Sequence, residues 1–189
     1  VKFYYLKGKK KFGVILFDFD LNKAIENEFN SKFEKEEEIQ SFTKGEALYI
    51  LTVKKKSSIL SVHVINHNGN YTKTPFDFTN KTLKDSDGED ASVYDILAED
   101  AIITKYLDAI SLDSENAVTL DIVKSNNKLY KTDSGFTLTA DQSDLATYLF
   151  KYNILNNTLT LDMLLKKKLK KEAEKDALKT NSFLLNNYL

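Results

Sequence analysis

Arginine, cysteine and tryptophan are absent from this chain, histidine occurs twice and proline once. Each absence removes a class of chemistry. Without a guanidinium there is no planar fork to hold phosphate or carboxylate through paired hydrogen bonds, and no bidentate contact to a guanine edge. Without a thiol there is no cysteine nucleophile, no disulfide and no thiolate-bound zinc. His63 and His67 are too few for most triads or metal cages. The six glycines stand apart from one another, so no phosphate-cradling loop or dinucleotide fingerprint can be assembled. Apolar runs such as Val14 to Phe17 are far short of the roughly 20 residues that span a bilayer. The opening Val1-Lys2-Phe3 lacks the regions of a signal peptide. The expectation is a soluble, cytoplasmic protein with no membrane partner.

What is present is lysine, carboxylate, hydroxyl and large apolar surface. All 27 basic residues are lysines, and 12 Phe and 10 Tyr are spread from end to end of 189 residues, enough to build a core. Lysine, asparagine, isoleucine and phenylalanine are plentiful while arginine, tryptophan and proline are scarce. An AT-rich coding sequence produces that bias, which points to a low-GC bacterium or its phage or mobile element. Net charge is −1, but residues 77–144 hold 15 acids against 6 lysines, and the segments on either side are basic. Such polarity can steer a partner or order subunits in a homo-oligomer, although ordinary solvated faces on separate elements are the preferred reading.

The pattern predicts an α+β fold. Lys2 to Lys7 and Lys11 to Phe19 read as a hairpin about Gly8-Lys9-Lys10, and Leu21, Ile25, Phe29 and Phe33, four apart, read as a helix ending near Glu38. Strands follow from Gly45 to Lys54 and from Ser58 to Asn66. Tyr71 to Phe78 reads as an edge strand, because Pro75 cannot donate to a ladder. Asp85 to Asp90 is an acidic loop suited to a boundary, which gives subdomains 1–84 and 85–189 or one continuous domain. The second half reads as a helix from Asp90 or Ser92 through Val93, Ile96, Leu97, Ile103 and Ile110, then a strand Ala117 to Val123, a meander over Lys128–Lys131 and Phe136–Thr139, and a helix through Leu145, Tyr148, Leu149 and Tyr152. A last helix is predicted from Leu159 to Lys179. The architecture expected is one or two small antiparallel sheets packed with about four helices.

Four constellations invite chemistry. An apolar strand ending in Asp-x-Asp, Val14-Ile15-Leu16-Phe17-Asp18-Phe19-Asp20, resembles the first motif of haloacid-dehalogenase-type phosphatases. The resemblance implies Asp18 as nucleophile and Asp20 as general acid/base beside Mg²⁺. That family continues with Gly and then Thr or Val where this chain has Leu21 and Asn22, so a strand running into a helix cap is the preferred reading. The acidic loop Asp85 to Asp90 cannot be an EF-hand, since Gly88 in sixth place would put Leu83 first and Tyr94 twelfth. Lys166, Lys167, Lys168, Lys170 and Lys171 could neutralise phosphates without reading sequence, but Glu172, Glu174 and Asp176 follow at once. His63 reads as a packed strand residue and His67 as an exposed turn residue.

No catalytic residue, metal ligand or cofactor site is assigned. The function expected is non-enzymatic contact with a protein partner, as a structural or accessory component, in the cytoplasm or in a virion. Tyr71, Phe76 and Phe78 on the edge strand, the lysine cluster and the apolar tail from Phe183 to Leu189 are the candidate contact residues. The alternatives are a Mg²⁺-dependent phosphatase using Asp18 and Asp20, and a lysine-mediated, non-specific nucleic-acid binder.

Overall fold

The computed structural model describes residues 2–7, 11–18, 20–30, 35–97, 108–111, 127–141, 143 and 145–166. Fourteen strands fill most of that length, with one short helix at 93–97. The α+β expectation with about four helices is overturned: the chain is mostly β. Among the described residues no helix is long and apolar enough to cross a membrane.

Two compact units divide at residues 78 and 79. In the first, β1 (Lys2–Lys7), β2 (Lys11–Phe17) and β3 (Lys23–Asn30) form one antiparallel sheet in that order. A second antiparallel sheet runs β4 (Glu36–Lys44), β5 (Ala47–Lys54), β6 (Ile59–Asn66) and β7 (Tyr71–Asp77). Val14 and Leu16 of β2 bury against Leu48 and Ile50 of β5 and Ile65 of β6, and Ile25, Phe29 and Tyr71 close over them. Phe29 and Tyr71 meet ring to ring at 5.2 Å. The two sheets therefore share one apolar layer, worth about 1.5–3 kcal/mol for each fully buried aliphatic side chain.

Where a helix was expected over residues 21–38, the described residues form strand β3 and the start of β4, and residues 31–34, with the expected Phe33, lie outside the described residues. A spacing of four is a multiple of two, so Ile25 and Phe29 lie on one face of a strand as readily as on one face of a helix. Asn27 between them decides the matter, because its side-chain amide donates to the carbonyl of Gly69 at 3.0 Å and clips β3 to the turn before β7. Gly69 has φ +72°, and a Cβ there would sit 2.6 Å from the Asn27 amide nitrogen, so only glycine fits that turn.

The second unit carries a two-stranded ribbon, β8 (Leu83–Lys84) with β9 (Asp90–Ala91), and a five-stranded sheet. That sheet runs β10 (Asp108–Ser111), β11 (Asn127–Thr132), β12 (Gly135–Ala140), β13 (Ala146–Asn153) and β14 (Thr158–Leu165). β10 and β11 are parallel and the other pairs antiparallel. Leu129, Leu138, Phe150, Tyr148 and Tyr152 share its inner face and are buried. Tyr148 also ties the sheet to the ribbon, its hydroxyl accepting from the Lys84 amide at 2.6 Å.

Two predicted helices fall here and are strands. Over residues 145–152, Tyr148, Phe150 and Tyr152 alternate at a period of two, and aromatic and β-branched neighbours suit a pleated surface better than a helix. Over 158–161, Thr and Leu alternate strictly, and the four-residue step from Leu161 to Leu165 is compatible with both periods. Ile110, expected on a helix, lies in β10. That helix is present at its start, residues 93–97; its residues 98–107, the strand at 117–123, the helix beyond residue 166 and the tail 181–189 lie outside the described residues.

Candidate functional site

The first unit holds a polar cluster inside its four-stranded sheet. Thr52, Ser61 and His63 point from β5 and β6 to the face that carries Ile50 and Ile65, and Glu36 of β4 reaches them from the sheet edge. All four are buried. Lys73 and Tyr71 of β7 complete the set. Glu36 Oε1 accepts from Lys73 Nζ at 2.6 Å and from Ser61 Oγ at 3.3 Å, while its Oε2 accepts from Thr52 Oγ1 at 2.8 Å. Thr52 Oγ1 is also 2.9 Å from His63 Nε2, and His63 Nδ1 is 2.8 Å from the Tyr71 hydroxyl.

Counting donors assigns the protons. Thr52 has one hydroxyl proton and gives it to Glu36, so His63 Nε2 must be the donor to Thr52. Nδ1 of a neutral imidazole then accepts, and Tyr71 donates to it. Burial holds the His63 pKa below its ordinary 6.5, against the pull of the Glu36 carboxylate. Burial works to raise the Glu36 carboxyl, but hydrogen bonds from His63, Lys73 and Thr52 outweigh it and bring its pKa down to about 2. Burial, with the Glu36 charge beside it, pushes the Tyr71 hydroxyl up to about 12. The chain Tyr71, His63, Thr52, Glu36 is thus a set of donors running one way into a fixed carboxylate. With His63 fully buried, the cluster fixes the sheet from within.

The second unit presents an open surface. Thr137, Lys151 and Thr160 lie side by side across β12, β13 and β14, with Asn153 opposite Thr158 and Leu149 opposite Asp162. These residues line a concave groove of about 940 Å³. Its one ion pair, Lys151 Nζ to Asp162 Oδ2 at 2.8 Å, is about half exposed on both sides, so hydroxyl and amide groups supply most of the polar lining. β14 bounds the groove and, among the described residues, is the last strand of its sheet. Met163, Leu164 and Leu165 are 51%, 47% and 75% exposed along it.

The edges of the described sheets differ in how they are guarded. β3 exposes Lys23, Glu26 and Glu28. β4 has a register shift between Glu38 and Gln40, and β7 has Pro75 at its centre with Lys73 beside it. Charges, bulges and proline are the usual means of stopping a second chain from pairing with an edge. β14 has none of these except Asp162, whose charge is already matched by Lys151.

The described sequence-derived candidates each have a definite place. Asp18 Oδ1 accepts from the backbone of Asp20 at 2.9 Å and of Asn22 at 2.8 Å, and those bonds with Asn22 lower its pKa. β2, which ends there, is antiparallel to both neighbours, and the turn leads into β3 rather than a helix. Asp20 is exposed. Tyr71 is half-buried in the His63 cluster, Phe76 is half-buried and Phe78 is buried. Lys166 Nζ is 2.9 Å from Asp141 Oδ1, which is buried, and donates to the carbonyls of Asp141 and Ser143 at 2.9 and 2.7 Å. Lys167, Lys168, Lys170 and Lys171 lie outside the described residues. His67 is half exposed, 3.4 Å from Glu46. In the acidic loop, Asp85 Oδ1 accepts from the backbone of Asp87 and Glu89, both at 2.9 Å, as a turn residue does. Among the described residues no three His, Asp or Glu side chains converge as metal ligands.

Sequence reasoning missed Glu36, Thr52, Ser61 and Lys73 as a group. Thr52, Ser61 and His63 at inward positions of otherwise apolar strands carried the signal, since buried polar groups need partners. No protein-family model, curated protein or solved structure matches the chain.

Proposed function

We propose that the protein acts without catalysis, by contact with another protein chain, and that the β14 edge and the groove beside it form the contact surface. The observation that supports this most directly is the unguarded edge: β14 offers eight residues of strand with exposed Met163, Leu164 and Leu165. An extended segment added there gains backbone hydrogen bonds along the strand, and its alternate side chains rest against the apolar end or the hydroxyl-rich groove. The working compartment under this proposal is the cytoplasm, or the virion if the chain is phage-derived.

Two rivals make different demands. A Mg²⁺-dependent phosphatase needs the Asp18 carboxylate free for attack, whereas here it accepts three hydrogen bonds from Asp20 and Asn22. A nucleic-acid binder needs unengaged ammonium groups, and the Lys166 and Lys151 ammoniums are both held by carboxylates.

The test is co-purification of the tagged full chain from its source cells, compared with a Met163→Lys, Leu165→Lys variant. A defined protein lost with the variant supports the proposal. A partner retained by the variant, or hydrolysis of a generic phosphate ester with Mg²⁺ that Asp18→Asn abolishes, overturns it.

A further inference from the structure

We infer that the His63–Tyr71 contact is a proton-operated latch between the two sheets of the first unit, and that acid frees the start of β7, and with it the hold on β3, before the rest of the unit unfolds. The β14 edge, in the other unit, plays no part in it. His63 lies in the layer between the sheets, on the face of β6 that carries Ile65, which is buried with Val14 and Leu16 of β2. Its ring stacks on Tyr71 with centroids 5.9 Å apart, and Tyr71 in turn meets Phe29 of β3 at 5.2 Å. Two residues before Tyr71, the Gly69 carbonyl accepts from the Asn27 side chain of β3 at 3.0 Å. Phe29 and Asn27 are thus both held by the start of β7 and its turn.

The latch follows from the protons. Nδ1 of the neutral ring accepts from the Tyr71 hydroxyl at 2.8 Å, and Nε2 is already committed as donor to Thr52. A proton arriving at Nδ1 sets donor against donor, so the hydroxyl must reverse or leave. Glu36, 3.4 Å from Nε2, and Glu38, both of β4, favour the added charge, and Lys73 of β7 opposes it. Tyr71 stays neutral, since its pKa is pushed up to about 12. β5 and β6 bring only the hydroxyls of Thr52 and Ser61, and β2 and β3 bring apolar Val14, Leu16, Ile25 and Phe29. Burial outweighs the two carboxylates, so an imidazolium here needs water. Thr52 and Ser61 sit on strands paired on both sides, whereas Tyr71 and Lys73 are partly exposed on β7, the last strand of its sheet among the described residues. Tyr71 faces into the layer and leaves it by peeling the start of β7 with its turn, which hydrates His63 and takes away what holds Phe29 and Asn27.

The size of the effect is bounded. Between pH 7 and 5 an opened form with an imidazole at the ordinary 6.5 gains about 25-fold over a closed form that stays neutral. Glu36, lowered to about 2, keeps its charge across this range, so the step belongs to His63.

The experiment compares amide hydrogen exchange of the full chain at pH 7 and 5, corrected for the intrinsic effect of pH, and follows the imidazole nitrogens and the Phe29–Tyr71 ring contact by NMR. The inference expects an Nε2–H ring on His63 at pH 7. At pH 5 it expects residues 71–73 to lose between about five- and 25-fold in protection relative to the β5–β6 pair, with the ring contact weakening in step. His63→Gln should abolish that relative loss. Should this variant fail to fold, Tyr71→Phe, which keeps the ring and removes the hydroxyl, should show reduced protection over 71–73 already at pH 7. An Nδ1–H ring, an equal loss in both strand pairs, a relative loss undiminished in His63→Gln, or full protection at pH 7 in Tyr71→Phe overturns the inference.

Discussion

Glu36 and His63 are shut inside the same sheet with their nearest side-chain atoms 3.4 Å apart, and the Thr52 hydroxyl joins them, 2.8 Å from the carboxylate and 2.9 Å from the imidazole. The pair sets the acid response of the first unit. The His63 pKa is lowered on folding, so its contribution to stability is complete above its ordinary 6.5 and is lost as pH falls below that value. Glu36, lowered from 4.5 to about 2, adds a second loss between those two values, on the order of 3 kcal/mol. The thermal midpoint of the first unit should hold from pH 8 to 7 and fall in two stages below. His63→Gln should remove the upper stage and shrink the lower, since Glu36 loses the imidazole that helps to lower its pKa. A midpoint flat from pH 7 to 5 in the native chain would refute the neutral, buried imidazole.

Glu36 also holds the Lys73 ammonium at 2.6 Å, with side-chain exposures of 5% and 20%. Removing one member leaves the other's charge poorly compensated, at a cost of about 3 kcal/mol. Glu36→Gln and Lys73→Met should each destabilise. The double variant should lose less than the sum of the two, which denaturant unfolding of all four proteins would measure.

Lys166 behaves as a structural cation in this fold. Lys166→Met strands the buried Asp141 carboxylate and should cost about 3 kcal/mol in the second unit. Adding Asp141→Asn should restore part of the loss. Heparin retention measured on Lys166→Met should match the native chain; a clear drop would return Lys166 to the surface role its sequence neighbours suggested.

Two glycines separate close approach from backbone preference. A Cβ at Gly135 would lie 2.0 Å from the carbonyl oxygen of Tyr152, across the β12–β13 pair. Gly135→Ala must push those strands apart and should cost upwards of about 2 kcal/mol. Gly45 has φ +56° and nothing near its absent Cβ, so Gly45→Ala should cost about 1 kcal/mol from backbone preference alone. Chemical denaturation gives both values, and the ordering is the point at risk.

The strands rich in Val, Ile and Tyr with crisp turns were legible from sequence. Asn66-His67-Asn68-Gly69-Asn70 forms the expected turn, with the Asn66 side chain accepting from the amides of Asn68 and Asn70 at 3.0 Å. Residues 47–54 and 59–66 pair as read, and β7 with Pro75 is an edge. The helices failed where apolar residues recur every four positions, as at Ile25 and Phe29 or Leu161 and Leu165, because that interval serves both periods. Glu26 and Glu28, like Met163 and Leu164, favour helices locally, and sheet pairing with distant partners outweighs that preference. The Glu36 cluster was illegible for a related reason. Glu36 and Lys73 are 37 residues apart and meet only through strand register, which no local pattern encodes.

The Lys166 clasp bears on force as well as on charge. β14 runs antiparallel to β13, so traction on whatever follows residue 166 would peel the sheet one rung at a time, beginning where Leu165 faces Ala146. The ammonium, anchored to Asp141 and Ser143, and the Lys166 backbone amide, which donates to the Leu145 carbonyl at 2.8 Å, sit ahead of that first rung and take the load together. In a pulling measurement loss of the ammonium would lower the force at which unzipping starts and leave the later rungs as strong as before.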